Sequence, residues 1–258
     1  MISMALALCM LSLVTSSVAL PVPFAPRNNI STDASAFFSP GAGQEWGPDV
    51  SHYQGDINWA EVKKAGASFA FAKATEGVTF VDASLVANRK GMRAEGFSPR
   101  GYYHFGHPNE SAATQAAHFC HTVGALEAGE VAVLDIESAS NADPAQVAKW
   151  SKEFVDKVMS TLGLPASRVL ICQSSPPPAP SLHRNVPCGP DALADTGAWF
   201  WNPQAGGSSL LSAHPLWVSG YTKEPPMPKG WSTWAYWQYT DKATIAGIKG
   251  GVDCSVKK

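Results

Sequence analysis

Residues 130–138 read EVAVLDIES, and the fold follows from how that stretch is read. On a strand, side chains alternate, so Val131, Val133, Asp135 and Glu137 share one face while Ala132, Leu134 and Ile136 share the other. Both faces are apolar until the C-terminal end. A strand buried on both sides belongs to a parallel sheet, and the carboxyl ends of such strands are where α/β folds carry their chemistry. Two residues along a strand span about 6.6 Å, which sets Asp135 and Glu137 side by side on one wall of a pocket. Neighbouring carboxylates raise each other's proton affinity, and burial adds to this, so one can stay protonated while the other stays charged.

Working outward, strand-like runs alternate with helix-like ones: FAFAKAT (69–75), RGYYHF (100–105), VAVLDIE (131–137), RVLI (168–171), PLWVSGY (215–221) and WAYWQYT (234–240). Alternation of this kind is the mark of βα units around a parallel sheet. The helices between have readable ends. Asn58 with Glu61 resembles a capping box, and Gly66 suits the position after the helix. Asp143 and Pro144 form an N-cap and first-turn pair, with Val147, Trp150, Phe154, Val155 and Val158 on one face and Gly163 as the stop. The last three strand candidates leave little room for helices. The expected fold is therefore α/β, an irregular (β/α) barrel, TIM-like, whose last strands lack full helices.

Two more acids sit in comparable places. GPDVSHYQG (47–55) puts Asp49 in a short strand before a turn, and GGVDCSV (250–256) puts Asp253 after a glycine pair. In a closed barrel the first and last strands are neighbours, so Asp49 and Asp253 are expected to meet across the seam, and four carboxylates from three strands then line one mouth. Paired carboxylates of this kind equip a site to cleave glycosidic bonds. Tyr102, Tyr103, Phe105, Trp217, Tyr221, Trp234, Tyr236, Trp237 and Tyr239 lie on or beside the strand candidates; most are expected to be core, and those at strand ends to stack on sugar rings. His52, His104 and His107 are read as hydrogen-bonded structural residues.

Composition excludes other classes. With 45% hydrophobic and 16% charged residues and a net charge of -2, the chain is globular and carries no basic run, so nucleic acids are not expected partners. The apolar stretch Ala5 to Val14 is too short to span a bilayer and precedes Ser17 and Ala19, spaced as a cleavage site requires. Residues 1–19 are therefore read as a secretory signal peptide, although no Lys or Arg precedes the apolar core, and residues 20–46 as a linker, pro-segment or extended arm. The catalytic barrel is expected over 47–258. Cys9 leaves with the signal, and Cys120, Cys172, Cys188 and Cys254 remain for one or two disulfides. No CxxC spacing points to metal, and no metal or cofactor is required. Asn29 and Asn109 each begin an N-glycosylation pattern. No G-x-S-x-G is present, which disfavours a serine hydrolase.

DVSHYQGDINW, KATEG, GYYHF, LDIE, YWQYT and GVD, in that order across about 49–253, resemble the Chalaropsis-type lysozymes, glycoside hydrolase family 25. The resemblance implies an irregular barrel and N-acetylmuramidase activity on bacterial peptidoglycan; the signal peptide adds secretion, and a monomer is expected. It implies Glu137 as general acid, Asp135 as the residue that orients the reacting sugar, and Asp49 and Asp253 as groups that bind ring hydroxyls or tune the pair. Tyr103, Gln54, Trp217, Tyr221, Trp237 and Gln238 are the implied substrate-binding residues. The alternatives are a glycan-binding barrel with little catalysis, acting on peptidoglycan or chitin, and a chitinase; retention of both Asp135 and Glu137 counts against the first, and the DVSHYQG start and GVD end against the second. One departure stands out. Where the family continues with a Tyr-Thr pair, this chain runs CQSSPPPAPSLHRNVPCGPDALAD, and removing 172–195 would join RVLI to TGAWFWN. The stretch is read as an insertion, either a loop or an unspliced intron, that displaces a tyrosine; four cysteines allow three full pairings, among them Cys172 with Cys188 across it.

Overall fold

The computed structural model describes residues 30–31, 40–173 and 198–258. The expected signal peptide, Cys9, Asn29, Cys188 and nearly all of the 172–195 insertion lie outside the described residues. In chain order the elements are β1 (Ile30–Ser31), β2 (Trp46–Val50), α1 (Trp59–Lys64), β3 (Ala70–Glu76), β4 (Phe80–Val81), α2 (Leu85–Ala94), β5 (Arg100–Phe105), α3 (Ala112–Val123), β6 (Glu130–Asp135), α4 (Pro144–Leu162), β7 (Val169–Gln173), α5 (Ala198–Gln204), β8 (Leu216–Ser219), β9 (Tyr236–Ile245) and β10 (Val252–Lys257).

Eight of these strands close a barrel in the order β2, β3, β5, β6, β7, β8, β9, β10. Neighbours from β2 to β9 are parallel, whereas β10 runs antiparallel to both β9 and β2. Helices fill the parallel crossovers as far as β8, and none stands between β8 and β9 or between β9 and β10. This is the irregular barrel expected from the crowding of the last strands. Because β10 is reversed, its first residues lie at the same mouth as the carboxyl ends of the parallel strands, and Asp253 pairs in register with Asp49.

The alternation in β6 divides the core. Val131 and Val133 pack inside with Phe69, Phe71, Leu170, Cys172, Trp217 and Tyr236, while Ala132, Leu134 and Ile136 face the helices. Large rings fill the interior, with Phe71 4.4 Å from Trp217 and edge-on to Tyr236. Gly101 makes room for them, since a Cβ there would stand 2.2 Å from Phe71 Cδ1. The helix ends are as read. Asn58 and Asp143 accept from the backbone N–H groups of Glu61 and Gln146, and Gly163 ends α4 with φ 64°.

Two boundaries differ from the sequence reading. Gln173 ends β7, so Cys172 belongs to the barrel rather than to the insertion. Trp46 opens β2, one residue before the expected start. Ile30–Ser31, within the stretch read as a linker, pro-segment or extended arm, pairs with β9. Disulfides are not formed among the described residues: Cys120, Cys172 and Cys254 are buried free thiols. Cys172 faces the interior while Cys120 and Cys254 sit in the outer layer on different elements, which keeps them apart.

At the opposite end from the mouth, Glu130 is fully buried at the start of β6. It accepts from Tyr102 Oη at 2.7 Å, from Arg93 Nε and Nη2 at 2.7 and 2.9 Å, and from Arg89 Nη2 at 3.3 Å. Arg168 clasps the Glu130 carbonyl from below. Burial alone would raise the Glu130 carboxyl, but these hydrogen bonds outweigh it and hold the group far below the ordinary carboxylate range. The cluster ties α2, β5 and β6 together.

Candidate active site

The mouth of the barrel opens into a cavity of about 300 Å³. Asp49, Asp135, Glu137 and Asp253 all line it. Asp135 is the last residue of β6, and the Ile136 N–H donates to the Cys172 carbonyl at 3.0 Å, so the chain stays extended for one more step and Glu137 emerges on the same side. The barrel interior ends here because the apolar alternation ends here.

The four acids form two neighbouring pairs, Asp135 with Glu137 and Asp49 with its register partner Asp253. Burial, then the charge of Glu137 and their shared hydrogen bond, pushes Asp135 well above its ordinary range. Burial also raises Glu137, but the hydrogen bond from Asp135 and the charge of Lys73 restrain it. Asp135 Oδ1 is buried and has no hydrogen-bond partner among the described residues. In the second pair, burial and the charge of Asp253 raise Asp49 strongly, and burial with the charges of Asp241 and Glu137 pushes Asp253 up to about 7.

Gln238 orients the second pair. Its Oε1 accepts from Ser219 Oγ at 2.6 Å and Tyr221 Oη at 3.4 Å, which turns its amide nitrogen toward Asp49 Oδ2 at 3.1 Å. Trp217 forms the floor, with its indole N–H on Ser255 Oγ at 3.0 Å. Tyr103, Gln54 and Tyr221 complete the walls among the residues expected there, and burial next to the acids raises the Tyr103 and Tyr221 hydroxyls. Trp237 is the exception. It is buried on the outer face of β9, donating to the Gly220 carbonyl at 2.8 Å, because successive strand residues cannot both face inward and Gln238 does.

Four lining residues were not singled out from sequence: Val50, Ser51, Tyr53 and Lys73. Lys73 is the one cation among the described residues of the wall. Its Nζ binds Glu76 at 2.5 Å and stands 5.1 Å from the centre of the Phe105 ring. Glu76 is held in turn by His107 Nε2 at 3.1 Å. The KATEG run that contains Lys73 and Glu76 was the available signal, and strand alternation would have placed Lys73 on the inner face with Phe71. Cys172 is the register partner of Asp135, and burial followed by the nearby carboxylates pushes its thiol well up. Of the histidines, His104 is fully buried between Thr75 Oγ1 and Gln115 Oε1, and burial lowers it to about 4. No group of three or more metal-ligating side chains occurs among the described residues, and no described helix is long and apolar enough to cross a membrane.

Comparison with known proteins follows the same outline. The family model described as Glycosyl hydrolases family 25 matches residues 48–167 and 185–248. Lysozyme M1 of Streptomyces globisporus is 32% identical over 219 residues, covering 80% of this chain; the match spans 65% of that lysozyme's length. The N,O-diacetylmuramidase of Chalaropsis sp is 26% identical, with 80% of this chain and 95% of that protein covered. Among solved structures, the bacterial lysozyme from Streptomyces coelicolor superposes with a TM-score of 0.71 at 30% identity, over 84% of this chain and 94% of that one.

Proposed function

The chain belongs to glycosyl hydrolases family 25, a family of glycoside hydrolases, and from that premise we propose that it is a secreted muramidase. Its substrate is bacterial peptidoglycan, and the bond cleaved is the β-1,4 linkage between N-acetylmuramic acid and N-acetylglucosamine. The observation that carries this reading is the Asp135–Glu137 pair at the mouth of the barrel, both raised in proton affinity by burial, with Asp135 Oδ1 buried and unpartnered among the described residues.

The chemistry follows from the spacing. Asp135 and Glu137 sit side by side on one wall within hydrogen-bonding reach, closer than the roughly 5–5.5 Å of a retaining acid–nucleophile pair, and substrate assistance is the recognised alternative. The acetamido N–H of the reacting sugar binds Asp135 and stabilises its charged form, which leaves Glu137 as the protonated member of the pair. Glu137 then protonates the leaving oxygen as the C1–O bond breaks and the acetamido carbonyl oxygen bonds to C1. Water attacks C1, Glu137 takes its proton, and the ring formed with the acetamido group reopens. Asp49 and Asp253, oriented by Gln238, bind hydroxyls of the sugar and set the charge felt by the pair. Tyr103, Trp217 and Tyr221 shape the wall against which the ring lies.

The test is mass spectrometry of fragments released from purified peptidoglycan after borohydride reduction, beside Glu137→Gln. Reduced N-acetylmuramic acid ends from the wild type, with release lowered about 10²- to 10⁴-fold in the variant, are expected. Reduced N-acetylglucosamine ends, or equal release by Glu137→Gln, would overturn the assignment.

A further inference from the structure

A cavity of about 300 Å³ stands at the lower end of ligand pockets and cannot enclose a polymer, so a glycan strand engaged there must continue over the rim. The rim on the β2–β3 side carries large apolar side chains in the open. Tyr53 is 82% exposed and Phe80 41%, and Val81 beside it is also exposed. Exposed apolar groups clustered at a cavity mouth mark a contact surface.

These side chains are braced. The Tyr53 ring lies 4.2 Å from the His52 ring, and the Phe80 ring lies 5.7 Å from it. His52 is fixed by Asp82, whose Oδ2 accepts from the His52 backbone N–H at 3.0 Å and lies 2.8 Å from its Nδ1; Asp82 is itself buried and also caps Ser84 N. The Phe80 backbone is tied to α3 through its carbonyl and His118 Nε2 at 2.9 Å. Lys73 Nζ stands 5.5 Å from the centre of the Phe80 ring, and Lys73 and Tyr53 both line the cavity, so the ledge is continuous with the catalytic wall. A surface held this way loses little freedom when a ligand settles on it.

We propose that His52, Tyr53 and Phe80 form a distal subsite of the glycan cleft, a preorganised ledge on which a sugar ring beyond those in the cavity stacks its C–H face. The proposal rests on the glycan-cleaving reading of the adjoining site. It assigns a role to Tyr53 and Phe80, whose exposure has no structural benefit, and to Asp82, which holds the ledge through His52. An aromatic stacking contact corresponds to about three- to tenfold in affinity.

The experiment is calorimetric titration of Glu137→Gln protein with peptidoglycan glycan fragments of two, four and six sugars, repeated with Tyr53→Ala, Phe80→Ala and Tyr53→Phe added singly. Val86→Ser, which alters an exposed apolar residue on α2 away from the cavity wall, is the control. Circular dichroism establishes that each variant is folded. Expected is a three- to tenfold loss in affinity for the six-sugar fragment with either alanine variant, a smaller loss for the two-sugar fragment, and recovery with Tyr53→Phe. Equal affinity at every length, or an equal loss at every length, would overturn the ledge while leaving the catalytic reading intact. Absence of binding by any variant, together with no cleavage of peptidoglycan by the wild type, would overturn both.

Discussion

Replacing Glu130 by Gln should destabilise the protein without touching its chemistry. The substitution keeps the shape and removes the charge that faces Arg89, Arg93 and Arg100 in a fully buried position. Breaking a buried ion pair from one side costs about 3–5 kcal/mol. The cost here is reduced, because Arg93 is partly exposed and keeps Glu127 at 2.9 Å, and Arg89 and Arg100 keep backbone carbonyl partners. A loss of about 2–3 kcal/mol remains, which for a barrel of this size lowers the melting temperature by roughly 4–12 °C. Because the folded-state carboxyl is held far below its ordinary value, the contribution is complete above the unfolded pKa near about 4.3 and fades as pH falls toward the folded value. The wild-type advantage should therefore be constant from pH 8 to pH 5 and narrow below about pH 4.3. Scanning calorimetry at fixed scan rate across that range measures it. Glu130 lies five residues before Asp135 on β6, about 16 Å from the mouth, so activity at low temperature should stay within twofold of wild type. A shift under about 1 °C, or a tenfold loss of activity without a shift, would refute the separation of a stabilising end from a catalytic end.

Three further outcomes follow from the acids and the cation at the mouth and from the buried thiols. Asp253, pushed up to about 7 and paired with Asp49, favours the folded state while protonated, so stability should fall as pH rises from about 4 to about 7. Asp253→Asn should flatten that decline in melting temperature, and a slope identical to wild type would count against the pairing. Lys73→Gln should move the bell-shaped pH profile of kcat/KM to higher pH, since the Lys73 charge restrains the proton affinity of both Asp135 and Glu137; an unmoved profile would mean that the ammonium is screened from them. Iodoacetamide at pH 8 should leave Cys120, Cys172 and Cys254 unmodified in the folded protein and label all three in denaturant, because burial raises each thiol above its ordinary range. Peptide mapping reads this directly, and native labelling of Cys172 would show that the cavity floor opens.

Local order alone determined much of this protein. Continuous apolar runs marked the parallel strands, Asn58, Asp143 and Gly163 marked helix ends, and the change from apolar to acidic at Asp135 and Glu137 marked the mouth, since each depends only on neighbours in the chain. Even the meeting of Asp49 with Asp253 was legible, because a closed barrel leaves the first and last strands no other partners. Tertiary structure decided the rest. The choice between Trp237 and Gln238 turned on the register of β9, which sends alternate residues to opposite faces. The roles of Lys73 and Cys172 came from strands that pair far apart in sequence, and the separation of the thiols came from their lying on different layers. The rim of Tyr53 and Phe80 arose where a turn after β2 meets a hairpin after β3. Burial and proton affinity depend on how many groups converge in one volume, and that convergence is a property of the closed barrel rather than of any single segment of its chain.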